Sequence, residues 1–338
     1  MSDARPAPLV TAIVPNYNHA RHLPGRVASV LNQTLGDAVE VLLMDDCSTD
    51  DSRAVLERYA DHPRVRLLFN ETNSGSTFKQ WNRGVAHARG RYVWFAESDD
   101  LAEPTLLEKV VGLLEQHPDC TMGCCESWLL HGDGLPAEDR SNLEAHYRPP
   151  PRTEFWKGDF VSDGASICRD DLIFNNPIPN ASAAVMRRDA YEDVGGADES
   201  MRQAGDRLMY AKLLSRGGLA HVGERLNYYR MHDNTVRSKT TSTGPTIVEV
   251  YRVLRFIRDE VGVEAVRFDA ALRQTAAYFV KAAARRGVGP RDLALACGAV
   301  KDVDPKIYRR LLGGYVAHRT LGPSVRLARR LRRGRSAA

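Results

Sequence analysis

Over its first 130 or so residues the chain alternates apolar runs of strand length with apolar positions at helical spacing, and this rhythm limits the folds open to it. Residues 9–14 are an apolar run stopped by Pro15, and Leu23, Val27, Val30 and Leu31 follow at helix spacing. Residues 39–44 form a second run ending in Asp45 and Asp46. Thr49 or Asp50 can cap the next helix, which carries Val55, Leu56 and Tyr59. Residues 65–69 give a third strand, and Phe78, Trp81 and Val85 line a third helix. Residues 92–96 are the fourth strand, Leu106, Val110, Leu113 and Leu114 mark the helix behind it, and residues 121–130 supply a fifth strand. Such alternation predicts an α/β fold, a mostly parallel sheet with helices on both faces. Ligands of such sheets bind beyond the carboxyl ends of the strands. Those ends read Pro15-Asn16-Tyr17-Asn18, Asp45-Asp46, Asn70 and Glu97-Ser98-Asp99-Asp100.

The fourth strand end carries the most chemistry. Tyr92-Val93-Trp94-Phe95-Ala96 runs directly into three acids and a serine. Carboxylates this close repel, so a cation or cationic substrate is what makes the cluster tolerable beside a pocket. Hard oxygen ligands suit Mg²⁺ or Mn²⁺. The competing reading is a solvated turn in which Asp99 or Asp100 caps the helix that Pro104 starts.

Composition narrows the class. No apolar stretch approaches the ~20 residues of a bilayer span, and Met1-Ser2-Asp3-Ala4-Arg5-Pro6-Ala7-Pro8 lacks the basic start and apolar core of a signal peptide. The six cysteines include no C-x-x-C pair, so neither a zinc site nor a redox dithiol is expected, and a reduced, cytosolic protein is. The net charge of +4 is unevenly placed: residues 305–338 contain no acid and ten lysines or arginines. Val325, Ala328 and Leu331 share one side of a possible helix there. That pattern suits an anionic membrane face, with a solvated basic terminus as the alternative and no nucleic acid expected.

Beyond residue 132 the rhythm changes. Residues 132–151 are polar and read as an exposed connection. Residues 177–186 resemble a loop entering a short strand, a helix spans 206–214, and a hairpin is expected around Gly223, ending in Tyr228-Tyr229-Arg230-Met231-His232. After Gly244 everything reads helical, with Ile247, Val250, Tyr251, Leu254 and Ile257 in one stripe and Ile307, Leu311, Leu312 and Tyr315 in another.

Val14-Pro15-Asn16-Tyr17-Asn18, Asp45-Asp46-Cys47-Ser48-Thr49-Asp50, Asn73-Ser74-Gly75 with Asn82-Arg83-Gly84, and Glu97-Ser98-Asp99-Asp100 follow one another in the order and spacing of family 2 glycosyltransferases. The resemblance covers about residues 9–235. It implies an inverting enzyme of the GT-A fold (Rossmann-like) over residues 1–235, with a donor half at about 9–131 and an acceptor half at about 150–235. A helical C-terminal region with a basic tail, 244–338, lies outside it.

The resemblance implies a nucleotide-sugar crevice lined by Pro15, Tyr17, Asn18, Asp46, Lys79, Glu97 and Ser98. Tyr17 can stack on a pyrimidine, a contact worth roughly 1–3 kcal/mol per base. Asp46 takes the family's role of accepting the imide N–H of uracil or thymine, and Lys79 could approach the diphosphate. Asp99 matches the second acid of the family's D-x-D motif, while Glu97 stands where the first Asp is usual. The Mn²⁺ or Mg²⁺ would be held by Asp99, Asp100 and His232. Asp206 sits where the family places its base, and Gly205 replaces the acid that usually precedes it; an ordinary helix N-cap is the plain alternative for Asp206.

These residues imply a metal-dependent, non-processive enzyme moving one sugar from a UDP- or dTDP-sugar to a hydroxyl on a glycan, glycolipid or small-molecule acceptor, in the cytoplasm or peripheral on the inner membrane face. A sugar nucleotidyltransferase would want a Gly-rich loop after the first strand, where this chain has Pro15-Asn16-Tyr17-Asn18. A processive synthase would be expected to carry a Gln-x-x-Arg-Trp motif and membrane helices. The remaining alternative is a degenerate module that binds a sugar nucleotide or scaffolds an assembly complex.

Overall fold

A computed structural model of the chain describes residues 7–132, 140–142, 152, 154–178, 180–231, 244–286, 294–295, 298–299 and 301. The chain divides into two compact units, Met1–Thr235 and Val236–Ala338.

The first unit is built on a ten-stranded mixed sheet. Its parallel half consists of β1 (Val10–Val14), β2 (Val39–Asp45), β3 (Val65–Phe69) and β4 (Tyr92–Phe95), in the order β3-β2-β1-β4. β1 and β2 are buried at every position, which is why they read as continuous apolar runs and not as alternating ones. The connecting helices are α1 (Leu23–Leu31), α2 (Ser52–Glu57) and α3 (Thr77–His87), and Ser76 caps α3 by accepting from Lys79 N. Gly84 lets α3 lie close on the sheet, because a Cβ there would stand 2.6 Å from Ile13 Cγ2.

The two-residue edge strand β5 (Leu101–Ala102) precedes α4 (Leu106–Gln116) and the long β6 (Cys120–His131). The expected cap from Asp99 or Asp100 does not form: Thr105 occupies the N-cap of α4, and the Asp100 carboxylate bonds elsewhere. Within the stretch expected to be a bare connection, β7 (Arg140–Asn142) pairs antiparallel with β6.

The chain then adds β8 (Phe160–Ser162), a helical segment α5 (Gly164–Ile167) that widens into a π-turn over Cys168–Leu172, β9 (Ala184–Arg187), α6 (Arg188–Asp193), α7 (Gly205–Leu214) and β10 (Gly218–Met231). β9 slots between β4 and β6 and runs antiparallel to both, so the sheet is mixed and β6 is parallel to β4. The hairpin expected around Gly223 is absent. Residues 218–231 form a single strand paired parallel with β6, and Gly223 falls in a register shift between Val222 and Arg225. Gly223 N donates to Asp159 Oδ1, and a Cβ at this position would lie 2.7 Å from Lys157 O. The glycine therefore marks a bulge against the 157–159 backbone and not a turn.

This topology gathers the candidate site residues along one edge of the sheet. The carboxyl ends of β1, β2 and β4 are neighbours there. The segment entering β9 and the end of β10 reach the same edge, because β9 runs the other way and β10 runs with β6.

In the second unit, α8 (Gly244–Phe256) passes through a π-turn at Ile257–Val261 and breaks at Gly262, whose φ of 77° lies in the left-handed region. α9 (Ala265–Arg286) follows. Ile247, Tyr251, Leu254 and Ile257 are buried, as is Val253, and the Arg258 guanidinium lies 5.3 Å from the Phe268 ring centroid. The stripe expected from Ile307 to Tyr315 and the basic tail lie outside the described residues, as does His232. Among the described residues no helix is long and apolar enough to cross a membrane.

Candidate functional site

At the end of β1, Pro15 and Asn16 are buried while Tyr17 is 46% exposed. Asn16 Nδ2 donates to Asp45 Oδ1 at 2.8 Å, and Asp45 Oδ2 accepts Ser48 N at 2.9 Å, so Asp45 folds the turn after β2. Cys47 in that turn and Asn18 in the facing one both take positive φ, at 59° and 58°. Asn18 Oδ1 accepts Thr49 N at 2.7 Å. Asn18 thus ties the first loop to the second. Together these bonds present the Tyr17 ring to solvent at the sheet edge.

Asp46 is buried and densely held. Its Oδ1 accepts Asn70 Nδ2 at 2.5 Å, Ser74 N at 2.8 Å and Gln80 Nε2 at 2.9 Å, while Oδ2 accepts Ser74 Oγ at 2.7 Å. Arg83 Nη1 donates to Asn70 Oδ1, which turns the Asn70 amide donor toward Asp46. A carboxylate has about four lone-pair sites. Oδ1 is saturated and Oδ2 keeps room for one further donor. Lys79, on α3, is exposed.

The acidic strand end is the electrostatic centre. Glu97 Oε1 accepts Trp81 Nε1 at 2.8 Å. Burial, followed by the Asp99 charge, pushes the Glu97 carboxyl up to about 8. Ser98 is buried, with its Oγ 2.7 Å from His19 Nδ1. Asp100 is buried; its Oδ2 accepts Asn180 Nδ2 at 2.7 Å and its Oδ1 accepts Arg230 N at 2.8 Å. Burial and Asp99 raise its carboxyl to about 6. Asp99 is only partly buried, and its main-chain oxygen accepts Arg230 Nε at 2.8 Å. Nearby, burial and then Arg230 lower the imidazole of His22 to about 4, so it is neutral beside these acids at physiological pH.

Asp206 lies in the first turn of α7 and is partly buried. Ala204 holds the N-cap position, Asp206 Oδ1 accepts Arg207 N at 2.7 Å, and Oδ2 accepts Asn176 Nδ2 at 3.0 Å. Tyr210, one turn on, is buried in the fields of both Asp206 and Glu97.

The segment between residues 176 and 182 links these groups. Asn176 bonds Asp206, Asn180 bonds Asp100, and Ser182 Oγ accepts Glu97 N at 3.1 Å. Sequence reasoning did not single out these side chains or His19, because polar residues in a loop carry no periodic signal, nor Arg26, which lies on α1. Arg26 did leave a trace: it interrupts the apolar face set by Leu23, Val27 and Val30. Among the described residues, no three His, Cys, Asp or Glu side chains come together as a protein-only metal cage.

The family description Glycosyl transferase family 2 matches residues 11–195, more than half of the chain. The chain belongs to glycosyl transferase family 2. It is a glycosyltransferase with the mixed, mostly parallel sheet of the GT-A fold. TuaG of Bacillus subtilis, named for teichuronic acid biosynthesis, is 28% identical over 248 residues, covering 72% of this chain and 88% of that protein. Chondroitin synthase of Escherichia coli is 40% identical over 118 residues, 35% of this chain and 16% of that protein. Among solved structures, S. aureus TarS 1–349 in complex with UDP-GlcNAc superposes with a TM-score of 0.65 at 18% identity, covering 94% of this chain and 92% of that one. A mannosyltransferase from Pyrobaculum calidifontis in complex with GDP-Man and Mn²⁺ gives 0.55 at 20% identity, covering 93% and 88%.

The fold explains where this glycosyltransferase departs from the resemblance at Gly205. A Cβ on Gly205 would stand 2.4 Å from the ring of Phe78 on α3. Phe78 is itself buried and packs edge-on against Trp81 at 5.2 Å. The aromatic ring fills the space that a preceding acid would need.

Proposed function

We propose that this glycosyltransferase is a metal-dependent, inverting, non-processive enzyme that moves a single sugar from a UDP- or dTDP-sugar to a hydroxyl of a glycan, glycolipid or small-molecule acceptor. The observation that carries the donor assignment is Asp46. Its Oδ1 is saturated by three donors, its Oδ2 retains one acceptor position, and it stands at the strand end next to the one that exposes Tyr17. An imide N–H on Oδ2 and a pyrimidine ring on Tyr17 satisfy both groups at once. TarS was solved with UDP-GlcNAc and with UDP, which supports a pyrimidine nucleotide. TuaG and chondroitin synthase, by their names, support a polysaccharide-building role.

The donor set suits a hard cation that shares substrate oxygens. Asn180 and the Arg230 amide engage Asp100, Trp81 engages Glu97, and the partly exposed Asp99 stands between them at the strand end, where its carboxylate would meet the cation. Mg²⁺ and Mn²⁺ commonly take one or two carboxylates, with water and phosphate oxygens filling the other positions. When bound, the cation neutralises charge developing on the departing diphosphate. Asp206 takes the proton of the acceptor hydroxyl as its oxygen bonds to the anomeric carbon and the bond from that carbon to the diphosphate oxygen breaks. Asn176 holds the Asp206 carboxylate in place for this. His232 keeps its family role toward the metal or diphosphate as part of the proposal.

Donor turnover with and without Mn²⁺ tests the reading. Metal-dependent release of nucleoside diphosphate, lost in Asp206→Asn, is expected. Nucleotide binding with neither transfer nor donor hydrolysis would select the degenerate binding module instead.

A further inference from the structure

Arg26 projects from α1 into the interior directly under the acidic strand end, with none of its surface exposed. Its Nε donates to Glu97 O at 2.7 Å and its Nη2 to Ser182 Oγ at 2.8 Å, while Nη1 finds no hydrogen-bond partner among the described residues. The guanidinium carbon lies 5.2 Å from the Trp94 ring centroid, and Trp94 Nε1 donates to Ser182 O. Ser182 Oγ also accepts Glu97 N. Burial lowers the guanidinium to about 10, opposed by Asp100, Asp99 and Glu97, so it remains a cation at neutral pH.

Packing alone does not account for this residue. Leu23, Val27 and Val30 fill the same face with apolar groups, and a buried charge is retained at a cost that an aliphatic side chain would avoid. The charge has a counterpart, since Asp100, Asp99 and Glu97, all at the strand end whose Glu97 carbonyl it holds, act on it electrostatically.

We propose that Arg26 is a positioning residue, the fixed internal countercharge that allows Glu97, Asp99 and Asp100 to share this strand end and that holds the Glu97 peptide and Ser182 in place beneath the donor site. The role in transfer rests on the donor reading above; the countercharge is a property of the chain alone.

Thermal melts of the full chain at neutral pH separate the two. Without divalent cation, Arg26→Met should melt well below wild type, Arg26→Lys above Arg26→Met, and Arg26→Met/Asp99→Asn should recover part of the loss, because one of the repelling charges is gone. Mn²⁺ with UDP should stabilise Arg26→Met by a shift at least about twice that of wild type, since the added cation replaces the missing one. A purely structural arginine would give equal shifts and no recovery. A double variant no better than Arg26→Met, whether both melt together or both fail to fold, overturns the proposal. If wild type shows no Mn²⁺/UDP shift, the donor reading fails, and the cation-free comparison still decides Arg26.

Discussion

The proposed reaction places opposite demands on the carboxyl groups of Asp206 and Glu97. A base must be ionised to accept the acceptor proton, and Asp206 is partly exposed with both oxygens accepting hydrogen bonds. Asp206→Asn is therefore expected to lower kcat by about 10²–10⁴-fold while leaving nucleotide binding unchanged, read by single-turnover kinetics beside a binding titration. Glu97 titrates near 4.5 when unfolded and near 8 when folded, so the folded chain binds the extra proton between those values. The stability Glu97 confers is thus full below about 4.5 and lost as pH rises toward about 8. Asp100 acts in the same sense between 3.8 and about 6. Without divalent cation the melting temperature should fall across this range, and Glu97→Gln should flatten the profile; an unchanged slope would contradict the assignment. The sequence announced these acids because charge following an apolar run is conspicuous. It did not announce how they are held, since Trp81, Asn180 and Arg230 reach them from 16 to 131 positions away.

Among the elements, the start of α7 and the 176–182 segment shape the site. Phe78 leaves no room for a side chain at Gly205, so Gly205→Ala should cost about 1–3 kcal/mol by overpacking, and a smaller residue at 78 should restore it in the double variant. Ser182→Ala removes an acceptor from both Glu97 N and Arg26 Nη2, for an expected loss of about 1–3 kcal/mol in chemical denaturation. β1 to β4 and their helices are legible in sequence because each apolar run is wholly or, in β3, partly buried and is bounded by turn residues. β9 and β10 are less so. β9 is four residues long and is defined by the neighbours it slides between, and the Gly223 signal for a turn is the same glycine signal a bulge leaves.

At the scale of the whole molecule, the glycosyl transferase family 2 match falls on residues 11–195, and the basic sequence after residue 305 carries a separate proposal, that of membrane docking. If those residues dock an anionic membrane leaflet, removing residues from Leu321 onward should abolish sedimentation with phosphatidylglycerol vesicles and leave turnover of a soluble acceptor intact. Unchanged sedimentation would remove the membrane reading. The sequence motifs name the enzyme class, but the sugar and the acceptor are set by loop shapes that no spacing encodes.

In the proposed function, the strand ends around Tyr17, Asp46 and Asp99 form a crevice for a pyrimidine nucleotide-sugar. A thermal-shift panel of UDP-, dTDP-, GDP-, ADP- and CMP-sugars, with and without Mn²⁺, decides whether they do. One UDP- or dTDP-sugar should stabilise the chain in the presence of Mn²⁺, and the shift should disappear in Tyr17→Ala. A panel in which no pyrimidine nucleotide moves the melting temperature, or in which only a purine nucleotide does, would rule out the pyrimidine crevice.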